Sequence, residues 1–275
     1  MFAKTVASSL QTPSSGGGGG VNSVEFDGVN DFYEVEGVGL SDAYTPDNKL
    51  TFSFFVYGNQ PPAQFSMVFG CATYADGAPF TNNVSLIWLH QRDNGEYFVR
   101  CSPDGAGLLV RWAFTPNNLV ADELNHIMMM WDGSQTVFND RVECFVNGVN
   151  QNVAPQQGNA TQNFDFRQSA NPDTQWSLGG YYFDGGSQKW DGQISDFWFD
   201  TVAINPLVPA NIDLFRTPDG CPADLGADGS LPTGRQPAVY QKGPASDWNA
   251  GTHQGAIQGW TMTGAVVDGN TGSCS

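Results

Sequence analysis

The sequence predicts an all-β fold, an antiparallel sandwich of two sheets, and three observations support this prediction. The 275 residues include 33 glycines and 16 prolines, and aromatic side chains make up 13% of the chain. This composition suits many strands joined by tight turns. Short segments of alternating apolar and polar residues recur along the chain, with turn-forming dipeptides between them. No amphipathic stretch is long enough to predict a substantial helix.

The segments with the strand pattern follow one another from the first third of the chain to residue 199. Their turns contain Asp-Gly or Asn-Gly pairs, which supply the positive φ that a hairpin needs. Alternation then places Trp131, Phe145, Leu178 and Phe197 in the space between two sheets. The predicted strands are residues 23–26, 32–35, 50–57, 65–71, 84–90, 97–101, 108–114, 126–131, 142–146, 175–179 and 194–199.

The two ends of the chain differ from this central pattern. Residues 12–20 read TPSSGGGGG, which predicts a flexible tether behind an N-terminal arm. We therefore divide the chain into an arm with a Gly-rich tether (1–20), a β-sandwich (21–204) and a small Pro/Gly-rich C-terminal extension (205–275). Within the extension, residues 211–215 predict one helical turn, and residues 255–267 alternate again.

The charge of the chain narrows its classes of partner. There are 28 acidic and 11 basic side chains, a formal net charge of −17, so the average field repels nucleic acid and anionic membrane surfaces. Residues 1–15 lack the apolar run of about seven residues that a secretory signal peptide requires. We expect a protein made in the cytoplasm, with neither nucleic acid nor membrane as a partner.

The cysteines lack the spacing of a zinc site. Cys71, Cys101, Cys144, Cys221 and Cys274 form no CxxC pair and have no histidine at ligand spacing. The first three lie in apolar strand-like segments and are expected to be buried thiols. A disulfide between Cys221 and Cys274 is an open alternative for the extension.

Three groups of residues, in order along the chain, resemble laminin-G-like jelly-roll proteins. They are residues 24–31 (VEFDGVND), residues 125–133 (NHIMMMWDG) with 144–148 (CFVNG), and residues 178–180 (LGG) with 190–197 (WDGQISDF). The resemblance implies a jelly-roll sandwich of the laminin-G or concanavalin-like type. It agrees with the fold class that the strand pattern predicts.

A more specific resemblance links the chain to laminin-G-like proteins of bacteriophages and prophages. It rests on residues 140–149 (DRVECFVNGV) before a Gln/Asn-rich stretch, and on 224–234 (DLGADGSLPTG), 244–249 (PASDWN) and 259–264 (GWTMTG). This resemblance implies a structural protein of the virion, a head decoration or a tail or fibre component, made in the host cytoplasm. The alternative is a glycan-binding adhesin or receptor-binding module of the phage tail, with a host surface glycan as its partner.

Other virion proteins are the partners that this interpretation implies, through residues 1–20 or the C-terminal extension, and a homo-oligomer is expected. Phe2, Val6 and Leu10 recur at fourfold spacing and could form one small apolar face. The arm is therefore predicted to dock on another subunit, while the sandwich is presented outward.

Catalysis is not expected. Among the glycoside hydrolases that share this sandwich, the β-glucanase-like ones carry a Glu-x-Asp-x-x-Glu arrangement, whose alternation places two carboxylates on one face of a strand. The nearest match, residues 34–39 (EVEGVG), lacks the third carboxylate, so Glu34 and Glu36 are interpreted as surface residues. His90, His126 and His253 lie in unrelated segments and are interpreted as structural. A glycan hydrolase is therefore the weakest alternative.

Two kinds of binding site remain open on sequence grounds. Related sandwiches bind calcium at a sheet rim, and the candidate ligands here are Asp27, Asp31, Asp191 and Asp196, although turns need Asp for hydrogen bonding alone. No other cofactor is expected. Aromatic rings stack on sugar faces, and the candidates for that contact are Trp176, Tyr181, Tyr182 and Trp190, although many rings of this segment should be core.

Overall fold

The computed structural model describes residues 23–36, 49–57, 66–74, 83–102, 110–157, 174–180 and 189–270. These residues form two eight-stranded sheets in which every pairing is antiparallel. The predicted all-β sandwich is therefore confirmed. The predicted N-terminal arm and tether, residues 1–20, lie outside the described residues.

The A sheet brings together strands from the whole length of the chain. Its strands are β1 (Val24–Asp27), β3 (Lys49–Tyr57), β8 (Leu124–Asp132), β9 (Val142–Val146), β10 (Val149–Asn150), β13 (Asp191–Asp200), β14 (Val239–Gln241) and β16 (Val267–Asp268). Their order is β10-β9-β8-β3-β13-β1-β16, and β14 pairs with the second half of β13. A bulge separates Ser195 and Trp198 in the pairing of β13 with β3. On the other side of β13, β1 pairs only as far as Ile194, and β14 pairs with Phe197 to Phe199.

The B sheet is built mainly from neighbouring hairpins. Its strands are β2 (Phe32–Glu36), β4 (Ser66–Tyr74), β5 (Asn83–Gln91), β6 (Tyr97–Ser102), β7 (Val110–Phe114), β11 (Ala154–Gln157), β12 (Thr174–Leu178) and β15 (Thr261–Thr263). Their order is β11-β7-β6-β5-β4-β12-β2-β15. The consecutive run from β4 to β7 follows from short connections between antiparallel strands.

Helices are few and short within the described residues. They are α1 (Phe138–Arg141), α2 (Pro209–Ile212) and α3 (Ala245–Asn249). The helical turn predicted at residues 211–215 begins two residues earlier, because Pro209 is favoured in the first helical turn. Among the described helices, none has the length and apolar character needed to span a membrane.

Alternating side chains of both sheets fill the space between them. Trp131, Leu178 and Phe197 are at most 1% exposed and lie in this main core, as predicted. Many of the core side chains are aromatic, and their rings pack at tilted or edge contacts, as between Phe52 and Phe69 at 5.6 Å. The main core therefore has the composition that the alternating segments predict.

The fourth predicted core residue, Phe145, is buried on the other side of the A sheet. It pairs with Met128, and both side chains belong to a second apolar layer that also contains Trp198, Phe215 and Tyr240. The prediction that Phe145 points between the sheets is wrong. Its neighbours Cys144 and Val146 point there instead, because successive side chains of a strand alternate between faces.

Residues 205–270 cover the outer face of the A sheet and one edge of the sandwich. The second apolar layer lies between β8, β9 and β13 on one side and Ile212, Phe215 and Leu225 on the other. The extension also supplies β14 to β13, β16 to β1 and β15 to β2, and Trp248 and Trp260 reach the main core. The C-terminal extension is thus an integral part of both sheets.

Two of the cysteines predicted to be buried thiols, Cys71 and Cys144, have that environment. Cys71 and Cys144 are free, buried thiols in the main core, and burial raises the pKa of both well above the ordinary value. Cys221 is disulfide-bonded, and its pairing with Cys274 stays a prediction. Cys274, which the sequence leaves open as a partner of Cys221, lies outside the described residues.

Candidate functional site

An open cleft lies between the turn that joins β5 to β6 and the segment that follows β7. Its volume is about 280 Å³. The two walls are neighbours because β6 pairs with both β5 and β7, so Tyr97 lies opposite Gln91 on one side and Phe114 on the other. The residues lining the cleft are Gln91, Asn94, Gly95, Thr115, Pro116, Asn117 and Leu119.

The first wall is a tight turn that fixes the amide of Asn94. The Gly95 N–H donates to the Arg92 carbonyl at 2.9 Å, and Gly95 has a φ of 80°, a conformation that favours glycine. The Asn94 Oδ1 accepts a hydrogen bond from the Glu96 N–H at 3.0 Å. The Asn94 NH₂ group therefore remains a donor at the cleft.

Gln91, at the end of β5, is oriented in a similar way. The indole Nε1 of Trp190 donates to Gln91 Oε1 at 2.9 Å, and Gln91 is only 4% exposed. Within the described residues the NH₂ group of Gln91 has no acceptor, so it too is a donor for a molecule in the cleft. Two amides, with their oxygen atoms held by the protein, thus present their NH₂ groups to one space.

The opposite wall, residues 115–119, is held by side-chain amides of the turn between β9 and β10 and of the residue after β10. Gln151 Oε1 accepts a hydrogen bond from the Asn117 N–H at 3.3 Å, and the Gln151 Nε2 donates to the Val149 carbonyl at 2.8 Å. The Asn147 Nδ2 donates to the Asn118 carbonyl at 2.9 Å. These bonds fix the backbone while the side chains of Thr115 and Asn117 remain exposed.

Asn125 extends this hydrogen-bond network to Val120, directly after the wall formed by residues 115–119. Its Oδ1 accepts from the Val120 N–H at 2.7 Å and from Asn147 Nδ2 at 2.8 Å, and its Nδ2 donates to the Val120 carbonyl at 2.9 Å. Asn147 has a φ of 50°, which Asn tolerates better than most residues. The cleft is therefore formed before any ligand arrives.

The aromatic residues predicted to stack on a sugar do not form this site. Trp176 and Trp190 are 0% and 2% exposed and belong to the main core, so neither ring can contact a sugar face. The prediction is therefore wrong for these two rings, since the core requires large side chains at their alternating positions. Tyr181 and Tyr182 lie outside the described residues. Trp190 reaches the cleft only through its hydrogen bond to Gln91.

The predicted calcium ligands have other partners. Asp27 pairs with Asp191 across β1 and β13, and Asp27 Oδ1 accepts the N–H groups of Val29 and Asn30 at 2.8 and 3.1 Å. Burial alone would raise the pKa of Asp27, but these hydrogen bonds outweigh it and lower the pKa. Asp31 Oδ1 accepts the Ala265 N–H at 2.9 Å and so joins the first turn to the extension.

Asp196 lies in the middle of β13, within the bulge between Ser195 and Trp198. It has a φ of 48° and accepts a hydrogen bond from the Ser195 hydroxyl at 2.6 Å, and burial raises the pKa of its carboxyl. No group of three or more His, Cys, Asp or Glu side chains in the described part of the chain has a metal-binding arrangement. The four aspartates are therefore not one ligand set, and calcium binding stays a prediction.

Glu34 and Glu36 point away from the core on β2, on either side of the buried Val35. The Gln175 Nε2 donates to Glu34 Oε2 at 2.5 Å, and burial raises the pKa of Glu34. Glu36 is exposed, as predicted, whereas Glu34 is half-buried. Glu34 therefore serves as an acceptor that joins β2 to β12.

Two of the three histidines have clear structural roles. The ring of His126 packs on Phe55 at 4.8 Å, and its Nε2 lies 2.9 Å from the Ser53 hydroxyl. The ring of His253 stacks on Trp260 at 4.9 Å. Burial lowers the pKa of each to about 3, so both are neutral at physiological pH.

The cleft residues were not identified from the sequence. The Asn94-Gly95 turn is visible there, but its neighbour across the cleft is about twenty residues away and is placed by strand pairing. Amides and hydroxyls without a motif are also common on protein surfaces. The combination of an Asn-Gly turn and the polar segment Thr115 to Asn117 was the available signal.

Two antiparallel sheets packed face to face around one apolar core define a jelly-roll class of sandwich fold. The chain belongs to the concanavalin A-like lectin/glucanases superfamily, because a laminin-G-type model of that superfamily matches residues 34–207, more than half of the sequence. The predicted laminin-G resemblance is confirmed. The resemblance to phage proteins stays a prediction. No curated protein matches this sequence.

Several solved structures are similar to this chain at low sequence identity. A heptameric SAP-like pentraxin from Limulus polyphemus is 12% identical, with a TM-score of 0.50 over 93% of this chain and 97% of the pentraxin. A putative carbohydrate binding protein from Bacteroides ovatus is 13% identical, with a TM-score of 0.49 over 90% of this chain and 58% of that protein. The CBM40 of a Ruminococcus gnavus IT-sialidase, bound to α2,3-sialyllactose, is 13% identical, with a TM-score of 0.42 over 63% of this chain and 94% of that one.

Proposed function

We propose that this protein is a non-catalytic carbohydrate-binding sandwich and that the cleft beside β5 and β7 is its sugar site. The observation that carries the proposal is the lining of the cleft, where neutral amides and a hydroxyl stand beside the apolar Pro116 and Leu119. Sugars present hydroxyls and C–H faces together, and such a mixture is suited to both.

The rigidity of the cleft supports this proposal. Gln91 and Asn94 already have their oxygen atoms bonded, and Gln151, Asn147 and Asn125 hold the opposite wall. A site that is ordered before binding loses less conformational entropy when the ligand binds. This matters for a sugar, because each of its hydroxyls contributes little binding free energy. Amides and hydroxyls bind sugars but are not proton-transfer groups near neutral pH, so this lining suits recognition rather than hydrolysis.

The test is glycan binding by variants of the exposed lining residues. Thr115→Ala and Asn117→Ala each remove a hydrogen bond worth about 1 kcal/mol, so affinity for a bound glycan should fall about three- to tenfold with each change. Isothermal titration calorimetry with the strongest ligand from a glycan array measures the loss. The matched control is Asn30→Ala, an exposed amide outside the cleft. Equal affinity in all variants would place sugar binding elsewhere.

A virion role is the second candidate, and the C-terminal extension favours it. The three segments that resemble phage proteins contain anchoring residues of the fold: Leu225 in the second apolar layer, and Trp248 and Trp260 in the main core. Leu207 and Leu231 of the same extension are 54% and 64% exposed, so apolar side chains remain for contact with other virion proteins. The resemblance thus follows a folded unit rather than a flexible tail.

Purified phage particles test this second candidate. Mass spectrometry of the particles should detect the chain at a reproducible ratio to the major capsid protein. Copies in the hundreds would indicate a head decoration, and a few or tens would indicate a tail or fibre component. Absence from purified particles, with the protein present in the lysate, would contradict a virion role without affecting the proposed sugar site.

A further inference from the structure

The lining of the cleft is electrically neutral. Its polar members are the amides of Gln91, Asn94 and Asn117 and the hydroxyl of Thr115. None of the seven lining residues, all within the described part of the chain, is Asp, Glu, Lys or Arg. A ligand that carries a full charge would therefore meet dipoles but no opposite charge in this site.

The cationic side chain in the same turn, Arg92, already has a partner within the protein. Arg92 stands between Gln91 and Asn94 in the sequence, and its guanidinium forms an ion pair with Glu96. The same guanidinium lies 4.9 Å from the centre of the Phe98 ring, in cation–π geometry. The side chains of Arg92 and Glu96 are 28% and 14% exposed, so this ion pair is partly shielded from water. Arg92 is thus held by Glu96 and Phe98 and neutralised.

The surrounding field acts in the same direction. The chain has a formal net charge of −17, which repels anions at long range. An anionic sugar in the cleft would also lose part of its hydration without gaining a counter-charge, which is unfavourable. A neutral sugar has hydroxyls that the amides and the Thr115 hydroxyl can pair with directly.

We propose that the cleft selects neutral glycans and discriminates against sialylated, sulfated or uronic-acid-containing ones. This inference rests on the proposed carbohydrate binding and adds the chemical class of the ligand. The selectivity comes from an absent counter-charge, because the only cation of the turn is paired internally by Glu96. Discrimination of this kind needs no steric barrier, only an uncompensated charge.

Matched pairs of glycans test the selectivity. Each pair is one neutral oligosaccharide and the same oligosaccharide with a single sialic acid, sulfate or uronic acid, titrated against the full chain. Affinity for the charged member should be about tenfold lower or more, and the difference should narrow between about 0.01 and 0.15 M salt as the field is screened. Equal or tighter binding of the charged members would overturn this inference but leave the proposed function intact. Absence of binding to every glycan would overturn both.

Two substitutions at the cleft, with one matched control, test the cause. Glu96→Gln releases Arg92 and should raise affinity for charged members relative to their neutral partners about fivefold or more. Glu25→Gln makes the same change of net charge on an exposed residue outside the cleft, and it should leave the ratio unaltered. Asn117→Lys adds a cation at an exposed lining position without disturbing the turn, and it should shift the ratio in the same direction as Glu96→Gln. An unchanged ratio in both cleft variants would show that charge at this site does not set selectivity.

Discussion

At the scale of single residues, the contact between Arg235 and Asp200 joins the C-terminal extension to the sandwich. The guanidinium donates to both carboxylate oxygens, Nε to Oδ2 and Nη2 to Oδ1, each at 2.9 Å. Asp200 is 0% exposed at the end of β13, while the Arg235 side chain is 36% exposed. Burial raises the pKa of Asp200 even though the hydrogen bonds and charge of Arg235 oppose the rise. The ionised form of the buried Asp200 carboxyl therefore depends on Arg235 for its stability.

Arg235→Ala should lower the free energy of unfolding by about 2 kcal/mol, a discounted value because solvent screens the exposed part of the guanidinium. Urea unfolding followed by tryptophan fluorescence measures this change. Arg235→Lys keeps the charge but loses the bidentate geometry, so it should recover only part of the loss. A full recovery would show that charge alone is responsible.

The pH dependence of this variant has a definite sign. The pKa of Asp200 in the folded state lies above the ordinary value of 3.8, so the folded protein holds this proton more tightly than the unfolded chain. Loss of Arg235 raises that pKa further. The loss of unfolding free energy caused by Arg235→Ala should therefore shrink as the pH falls from neutrality through the raised pKa of Asp200. A deficit that is constant down to pH 4 would contradict this account of the pair.

At the scale of elements, the A sheet differs from the B sheet because a second apolar layer covers its outer face. The middle of β3 and nearly all of β8 are buried, and the outward Met128, Phe145 and Trp198 contact α2 and the segment after it. The indole Nε1 of Trp198 also donates to the Gly229 carbonyl at 3.0 Å. The extension thus stabilises a strand surface that would otherwise be an exposed apolar patch.

Phe215→Ala should lower the free energy of unfolding by about 3 kcal/mol, because it removes a buried ring and leaves a cavity. Phe215 is 1% exposed and meets the Trp198 ring edge-on at 5.0 Å. The control is Leu207→Ala in the same extension, where the side chain is 54% exposed and the change should stay within about 0.5 kcal/mol. Similar effects for the two substitutions in urea unfolding would show that the second layer contributes little to stability.

At the scale of the whole molecule, the extension closes one side of the sandwich. β16 extends the A sheet at β1 and β15 extends the B sheet at β2, so two edge strands on the same side come from one short segment. Between them Trp248 and Trp260 fill the gap against Phe26 and Tyr33. Both edge strands are short, three residues in β15 and two in β16, so few unpaired backbone groups are presented to another chain.

Much of this molecule follows from local sequence patterns. Alternation and Asp-Gly or Asn-Gly turns predict the all-β class and most strands of both sheets, since side-chain direction and turn geometry depend on neighbouring residues. The same reasoning places Trp131, Leu178 and Phe197 correctly in the main core. It also predicts buried thiols at Cys71 and Cys144.

Only the tertiary structure decided which surfaces are covered and where a cleft forms. Alternation shows that Phe145 and Val146 face opposite ways, but it does not tell which face a later segment will cover. The cleft joins a turn at Asn94 to a segment at Asn117, fixed by an amide of Gln151. Such contacts depend on pairings between distant strands, because a side chain acquires its environment from residues that only folding brings near it.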